Sequence, residues 1–136
     1  MTDTQNMTRL LMERRDEHGN ILTDVYEHFQ DGHLFSTVWR SFYGEYKLTR
    51  IVYAEPQKDF NCEFGLRMPV KAFSEKLEIA TDRVFERSYE TPDGTTLKRD
   101  YITGQCTTRR SNGSEVTHDT AMLQKMAELA GDVRSF

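Results

Sequence analysis

Long apolar runs are missing from this chain of 136 residues. No stretch approaches the ~20 apolar residues of a membrane-spanning helix, and the polar start from Met1 to Gln5 does not resemble a secretory signal. The two cysteines, Cys62 and Cys106, stand alone in the sequence, which is typical of free thiols in a cytosolic protein. We therefore expect a cytoplasmic protein that has no membrane partner.

Signatures of catalysis and of cofactor binding are missing as well. The sequence has neither a GxGxxG loop nor a GxxxxGKS/T loop, the two glycine-rich devices that hold nucleotide phosphates. It also lacks the GxSxG turn that presents a nucleophilic serine. We expect no cofactor and no enzymatic activity. A cysteine and a histidine that meet only in the folded chain remain the alternative.

Histidines and acidic residues do not form a recognisable metal site. His28 and His33 flank a turn that contains Asp31, but a structural zinc site usually needs four ligands at characteristic spacings. Asp59 and Glu63 are close enough in sequence to pair, yet 22 acidic residues make such pairs common by chance. We expect no bound metal and assign no catalytic residue.

The charge balance limits the classes of partner. The 22 acidic residues outnumber the 18 basic ones, so the formal net charge is −4. Nonspecific binding to phosphate backbones needs a cationic surface, which this composition disfavours. No run of five like charges marks a tail or a linker, and we expect one domain over residues 1–136.

Turn-forming residues recur along the chain and separate runs that are rich in β-branched and aromatic residues. Glycine and asparagine accept the positive φ of tight turns, so these steps predict β-hairpins. Their spacing predicts an antiparallel β-meander. The turn steps are His18-Gly19-Asn20, Gln30-Asp31-Gly32, Gly44-Glu45, Thr91-Pro92-Asp93-Gly94 and Ser111-Asn112-Gly113.

Two segments show helical spacing. Pro69 precedes an apolar i, i+3, i+7 pattern that begins at Val70, and the first turn of a helix tolerates proline. Asp119 precedes a longer apolar stripe and is suited to cap a C-terminal helix. The predicted fold class is therefore α+β, an antiparallel β-meander of several hairpins with a C-terminal helix and a short central helix. The stripe residues are Met122, Leu123, Met126, Leu129 and Val133.

The run from Leu34 to Tyr43 fits two structures. Its apolar residues recur in pairs four positions apart, as they do along one face of a helix. Its threonine, valine and aromatic residues favour a strand, and turn residues bracket the run, so we interpret it as a strand. Both faces of that strand are then apolar, with Phe35, Trp39 and Tyr43 projecting from one of them.

This aromatic row, together with Tyr46 after the next turn, is the candidate functional surface. Tyrosine and tryptophan dominate the hot spots of protein interfaces. If Phe35, Trp39 and Tyr43 have no place in the core, a partner must cover them; the alternative is that they line the core. The hypothesis is a non-enzymatic protein-binding module (an inhibitor, adaptor or small regulatory subunit) that binds another protein or a second copy of itself.

Alternating basic and aromatic residues later in the chain support a different function. Sheets that carry such residues bind single-stranded nucleic acid, because bases stack on the rings while cations contact phosphates. A single-stranded nucleic-acid-binding protein is therefore the first alternative, and a small β-barrel that holds an apolar ligand is the second. The residues assigned to nucleic-acid binding are Arg83, Arg87, Tyr89, Lys98, Arg99, Arg109 and Arg110.

Overall fold

Within the residues that the structure describes, nine antiparallel strands form one sheet in which every strand pairs with its neighbours in sequence. The computed structural model describes residues 6–118 together with Lys125 and Glu128. A single turn of 3₁₀-helix, Glu63–Gly65, separates the fourth and fifth strands. The strands are β1 (Met7–Arg15), β2 (Ile21–Gln30), β3 (His33–Tyr43), β4 (Tyr46–Asn61), β5 (Arg67–Glu78), β6 (Arg83–Glu90), β7 (Thr96–Asp100), β8 (Cys106–Arg109) and β9 (Glu115–His118).

The predicted turns join these strands, and the meander is as expected. Between β2 and β3, Asp31 and Gly32 both have positive φ, +52° and +77°, the combination that suits the right-handed twist of a two-residue hairpin. The run from Leu34 to Tyr43 lies within β3, so the strand interpretation is confirmed and the helical one is wrong.

The α+β class is wrong, because the described residues are almost entirely antiparallel sheet. The predicted central helix after Pro69 is part of β5, in which Val70 pairs with Gln57 of β4. Strands on both sides of β5 supply backbone hydrogen bonds that outweigh the helical spacing of its apolar residues. The register of β4 shifts near Pro69, and such irregularities are where strands accommodate proline.

The predicted C-terminal helix falls on residues 119–136. Of these, only Lys125 and Glu128 belong to the part of the chain that the structure describes. Its proposed cap Asp119 and its apolar stripe therefore lie outside the described residues.

One row of side chains on one face of the sheet is apolar on every strand except β8. Directly paired residues of adjacent strands share a face, so a row of side chains can be followed across all nine strands. We call this side the arm face, after the segment that folds over it. The row comprises Leu10, Tyr26, Val38, Ile51, Phe73, Tyr89, Leu97, Thr108 and Val116.

The distal part of the β4–β5 hairpin covers part of that face. Residues 54–71 extend beyond the pairing of β4 with β3 and of β5 with β6, and we call them the hairpin arm. The Phe60 ring of the arm lies 5.8 Å from Phe73 and 6.0 Å from Tyr89. Cys62 and Val70 of the arm are buried in the same core cluster as Tyr89 and other residues of the sheet. The main core is therefore the space between the arm and the strands β4–β8.

A buried ion pair stabilises the sheet beyond the reach of the arm. Asp24 on β2 is fully buried and lies directly opposite Arg40 on β3. Arg40 donates to both carboxylate oxygens of Asp24, from Nε at 2.8 Å and from Nη2 at 2.5 Å. Its guanidinium also lies 5.3 Å from the Tyr26 ring and 5.6 Å from the Phe42 ring. The pair raises the pKa of Arg40 through the hydrogen bond with Asp24.

We expect Asp24→Asn to lower the free energy of unfolding by about 3 kcal/mol, because it leaves the Arg40 charge without its carboxylate partner in a partly buried site. Urea denaturation followed by circular dichroism measures this change. Glu115→Gln is the control, since Glu115 is exposed and lies 3.9 Å from Arg109; its expected cost is below about 0.5 kcal/mol. Equal costs for the two variants would contradict a stabilising role for the buried pair.

Candidate functional site

The face opposite the arm divides into two chemically different halves. We call it the open face. One row of side chains can be followed across this face, from each residue to the residue paired with it on the next strand. This row is apolar on β1 to β3 and polar from β4 onward. The row comprises Met12, Val25, Trp39, Arg50, Ser74, Ser88, Lys98, Thr107 and Thr117.

The first half carries large apolar side chains at its surface. Trp39 is 37% exposed, Tyr43 62% and Tyr46 46%, and the last two pair directly across the β3–β4 turn. We define a set of nine uncharged open-face residues on β2 to β4 as the aromatic patch. Its members are Thr23, Val25, Thr37, Trp39, Ser41, Tyr43, Tyr46, Leu48 and Val52.

The second half of the open face is covered by ion pairs. Glu86 on β6 accepts contacts from Lys76 on β5 at 3.5 Å and from Lys98 on β7 at 3.6 Å. Arg109 on β8 lies 3.9 Å from Glu115 on β9. These side chains are partly or largely exposed, as expected for a solvated sheet surface. The second half of the open face is therefore more highly charged than the aromatic patch.

A pocket of about 360 Å³ continues the aromatic patch toward β6. Tyr46 pairs with Glu78, and Glu78 pairs with Arg83, so these three side chains line one side of it. A register shift in β6 brings Phe85 into contact with Tyr46, with ring centroids 5.4 Å apart and nearly perpendicular. Ile102, 70% exposed, completes the lining. The pocket offers an apolar surface with one carboxylate and one guanidinium at its margin.

Phe35 does not join the other aromatic residues of its strand. The pairing of β2 with β3 shifts by one residue between Ser36 and Leu34, which leaves Phe35 without a direct partner on β2. The Phe35 ring contacts Tyr53 edge-on at 5.7 Å, and Tyr53 in turn packs against Phe60 of the hairpin arm. The aromatic row expected from strict alternation is therefore divided, with Phe35 on the arm side and Trp39 and Tyr43 on the open face.

The seven residues assigned to nucleic-acid binding are dispersed and largely engaged within the chain. Arg87 donates to Glu75 at 2.8 Å, and Lys98 and Arg109 face the acidic partners described above. Tyr89 is only 3% exposed, so its ring is not available for stacking with a base. Arg83 borders the pocket, and Arg110 is exposed next to the β8–β9 turn. These positions do not form a continuous cationic track within the described residues.

A polar cluster fastens the hairpin arm to the arm face. The Glu63 carboxylate accepts hydrogen bonds from the hydroxyls of Tyr89 and Tyr101. The Arg99 guanidinium lies between two rings, 4.9 Å from the Phe64 centroid and 5.1 Å from that of Tyr101. Phe64 has a positive φ of 62°, a conformation that costs energy for a non-glycine residue and is retained here by these contacts. In the sequence, Glu63 is recognisable only as an acid that could pair with Asp59, because its tyrosine partners are distant in the chain.

The cluster also shifts the acidity of its tyrosines. Burial, reinforced by the hydrogen bond to Glu63, raises the pKa of Tyr101 to about 12, and the same causes raise the pKa of Tyr89. A phenol whose pKa is higher in the folded state than in the unfolded state stabilises the fold while it is protonated. For Tyr101 this contribution is complete below pH 10 and is lost as the pH rises from 10 through 12.

We expect Tyr101→Phe to lower the free energy of unfolding below pH 10 and to flatten its decline between pH 10 and 12, because one of the two raised phenols is removed. Urea unfolding at a series of pH values measures both effects. Tyr43→Phe, at an exposed position, is the matched control and should keep the wild-type slope. A Tyr101→Phe slope equal to that of the wild type would contradict the assignment.

The two cysteines are brought together in the core, although they are distant in sequence. Cys62 and Cys106 are free thiols in one buried cluster. Burial raises the pKa of Cys62 to about 12 and also raises that of Cys106. Since the thiolate is the reactive form, neither thiol is prepared for nucleophilic attack. Among the described residues, no three His, Cys, Asp or Glu side chains are grouped as metal ligands.

We expect both thiols of the folded protein to resist iodoacetamide at about pH 8 and to react fully once the chain is denatured, because folding removes both access and thiolate character. Intact-mass spectrometry counts the modified cysteines over time. Rapid modification of either cysteine in the folded chain would contradict its placement in the core.

Comparisons with protein-family models, with curated proteins and with solved structures give no match for this chain. Within the described part of the chain, no helix has both the length and the apolar character that a membrane crossing requires.

Proposed function

We propose that this protein is a protein-binding module that acts through the aromatic patch of its open face. The observation that carries the proposal is the division of that face. Its β2–β4 half presents mainly uncharged side chains, with Trp39, Tyr43 and Tyr46 exposed and Arg50 and Glu27 as charged members, while ion pairs cover its β5–β9 half. Residues on a sheet face that contacts water are normally polar, as they are in the second half. The first half needs a partner to remove its apolar area from water.

The composition of the patch supports an interface. The centres of protein interfaces are depleted of charge and enriched in tryptophan and tyrosine, and their margins often carry arginine. Trp39 occupies the middle of the patch, while Arg50 and Glu27 stand at its sides on β4 and β2. The adjoining pocket beside Tyr46 suits an apolar side chain of the partner. An inhibitor, an adaptor and a small regulatory subunit all act by such binding.

We expect the double variant Trp39→Ser with Tyr43→Ser to lose binding to the partner by more than about tenfold while its far-UV circular dichroism stays native, because both side chains are substantially exposed in the single chain. Co-purification from the source cell, followed by titration with the identified partner, measures the loss. Trp39 is the only tryptophan of the chain, so its fluorescence should also shift to shorter wavelength in the wild-type complex.

The matched control is Lys98→Ser with Arg109→Ser, which changes the ion-paired half of the same face on strands that do not adjoin the patch. This control should bind as the wild type does. Equal binding by the aromatic double variant would refute the proposal. Loss of its native circular dichroism would show instead that Trp39 and Tyr43 belong to the core.

A further inference from the structure

We infer that the partner of the aromatic patch is a second copy of this chain, stacked open face to open face over β3. The inference rests on the proposed function and specifies the partner that covers the aromatic patch. Two sheets that pack face to face lie about 10 Å apart with their strands nearly aligned. Such a pairing covers the aromatic patches of both copies at once, because a two-fold interface uses the same surface twice.

The charges at the sides of the patch select the orientation of the second copy. Arg50 on β4 lies in the row of Trp39, and Glu27 on β2 lies one row further along. A two-fold axis parallel to β3 stacks β4 of one copy over β2 of the other. Arg50 then projects over Val25 of the second copy, about 7 Å along the strand from Glu27, a distance that the arginine side chain can span.

The other in-plane axis gives the opposite result. An axis perpendicular to the strands that passes through the row of Trp39 stacks β4 over β4 and β2 over β2, so that Arg50 faces Arg50 while Glu27 faces Thr23. Like charges held together at an interface cost several kcal/mol. The positions of the charges across the patch therefore favour the axis parallel to β3. In that arrangement, the two Trp39 rings meet near the axis.

Arg50 and Glu27 each form an ion pair within their own chain, and the proposed contact between copies adds to these pairs. Glu27 accepts from Arg9 Nη2 at 2.5 Å, and Arg50 Nη2 lies 3.3 Å from Glu90. Contact between Arg50 and Glu27 of the second copy therefore joins two ion pairs into one network of four charges. Since the interface has two-fold symmetry, this network occurs twice.

The free edge of the sheet is a poorer route to self-association. β1 is exposed along most of its length, but its register with β2 shifts between Leu10 and Met12, leaving Leu11 as an extra residue. Bulges of this kind interrupt the backbone pattern that another strand would have to match, and they protect sheet edges from pairing. The open face carries no such interruption between Trp39 and Tyr43.

Charge reversal with complementary mixing tests this arrangement. Arg50→Glu places two acidic residues at each contact of its homodimer, and Glu27→Arg places two basic ones there. We expect each variant alone to dissociate at least about tenfold more readily than the wild type. Sedimentation velocity over a concentration series measures dissociation, and a blue shift of Trp39 fluorescence with rising concentration reports dimer formation independently.

Mixing the two variants in equal amounts should restore dimers. One contact of the mixed dimer joins the two substituted positions, where the new carboxylate of Arg50→Glu faces the new guanidinium of Glu27→Arg. The other contact joins the two unaltered residues, so both contacts again pair opposite charges. Intrachain effects on Arg9 or Glu90 cannot produce this rescue, since each chain keeps its own substitution. Lys98→Glu, on the ion-paired half of the open face, is the control and should dimerise as the wild type does.

Three outcomes would overturn the inference. They are a wild-type chain that stays monomeric at all concentrations tested, single variants that dimerise normally, and variants that weaken dimers but fail to recover on mixing. A monomeric wild type whose Trp39 and Tyr43 substitutions still abolish binding to a different protein would refute self-association and leave the proposed function intact. Restored dimers in the mixture support both.

Discussion

The pairing register of the strands is the constraint on which the rest of this structure depends. Each strand pairs directly with the next from β1 to β9, so a single row of side chains extends across the whole sheet on each face. A slip of one residue in β3 would move Trp39 to the arm face and Val38 to the open face. The register therefore decides which residues build the core and which remain exposed on the open face.

The hairpin arm covers only part of the arm face, so the core occupies only part of this wide sheet. The hairpin arm reaches only the strands from β4 onward, where it buries Cys62, Val70 and Cys106. Hydrogen bonds from Tyr89 and Tyr101 to Glu63 hold it in place. Beyond its reach, the sheet relies on the Asp24–Arg40 pair. The first strands, which the arm does not cover, carry the aromatic patch.

The candidate site could be predicted in part. Trp39, Tyr43 and Tyr46 were recognisable from residue type, and the structure places all three at the surface of one face. Phe35 was assigned to the same row, but a one-residue shift in pairing turns it toward Tyr53. Phe85 enters the pocket through a similar shift in β6. Bulges of this kind leave no reliable pattern in a single sequence, because they depend on how two strands fit together.

Local chemistry in the sequence determined the hairpin turns and the strand character of the runs between them, since both follow from backbone preferences of neighbouring residues. Tertiary structure alone decided that the segment after Pro69 is a strand and not a helix, because hydrogen bonds from β4 and β6 outweigh its spacing. It also decided that Glu63 lies beneath two tyrosines from distant strands and that one face divides into aromatic and ion-paired halves. Those features depend on contacts between residues far apart in the chain, which no local pattern encodes.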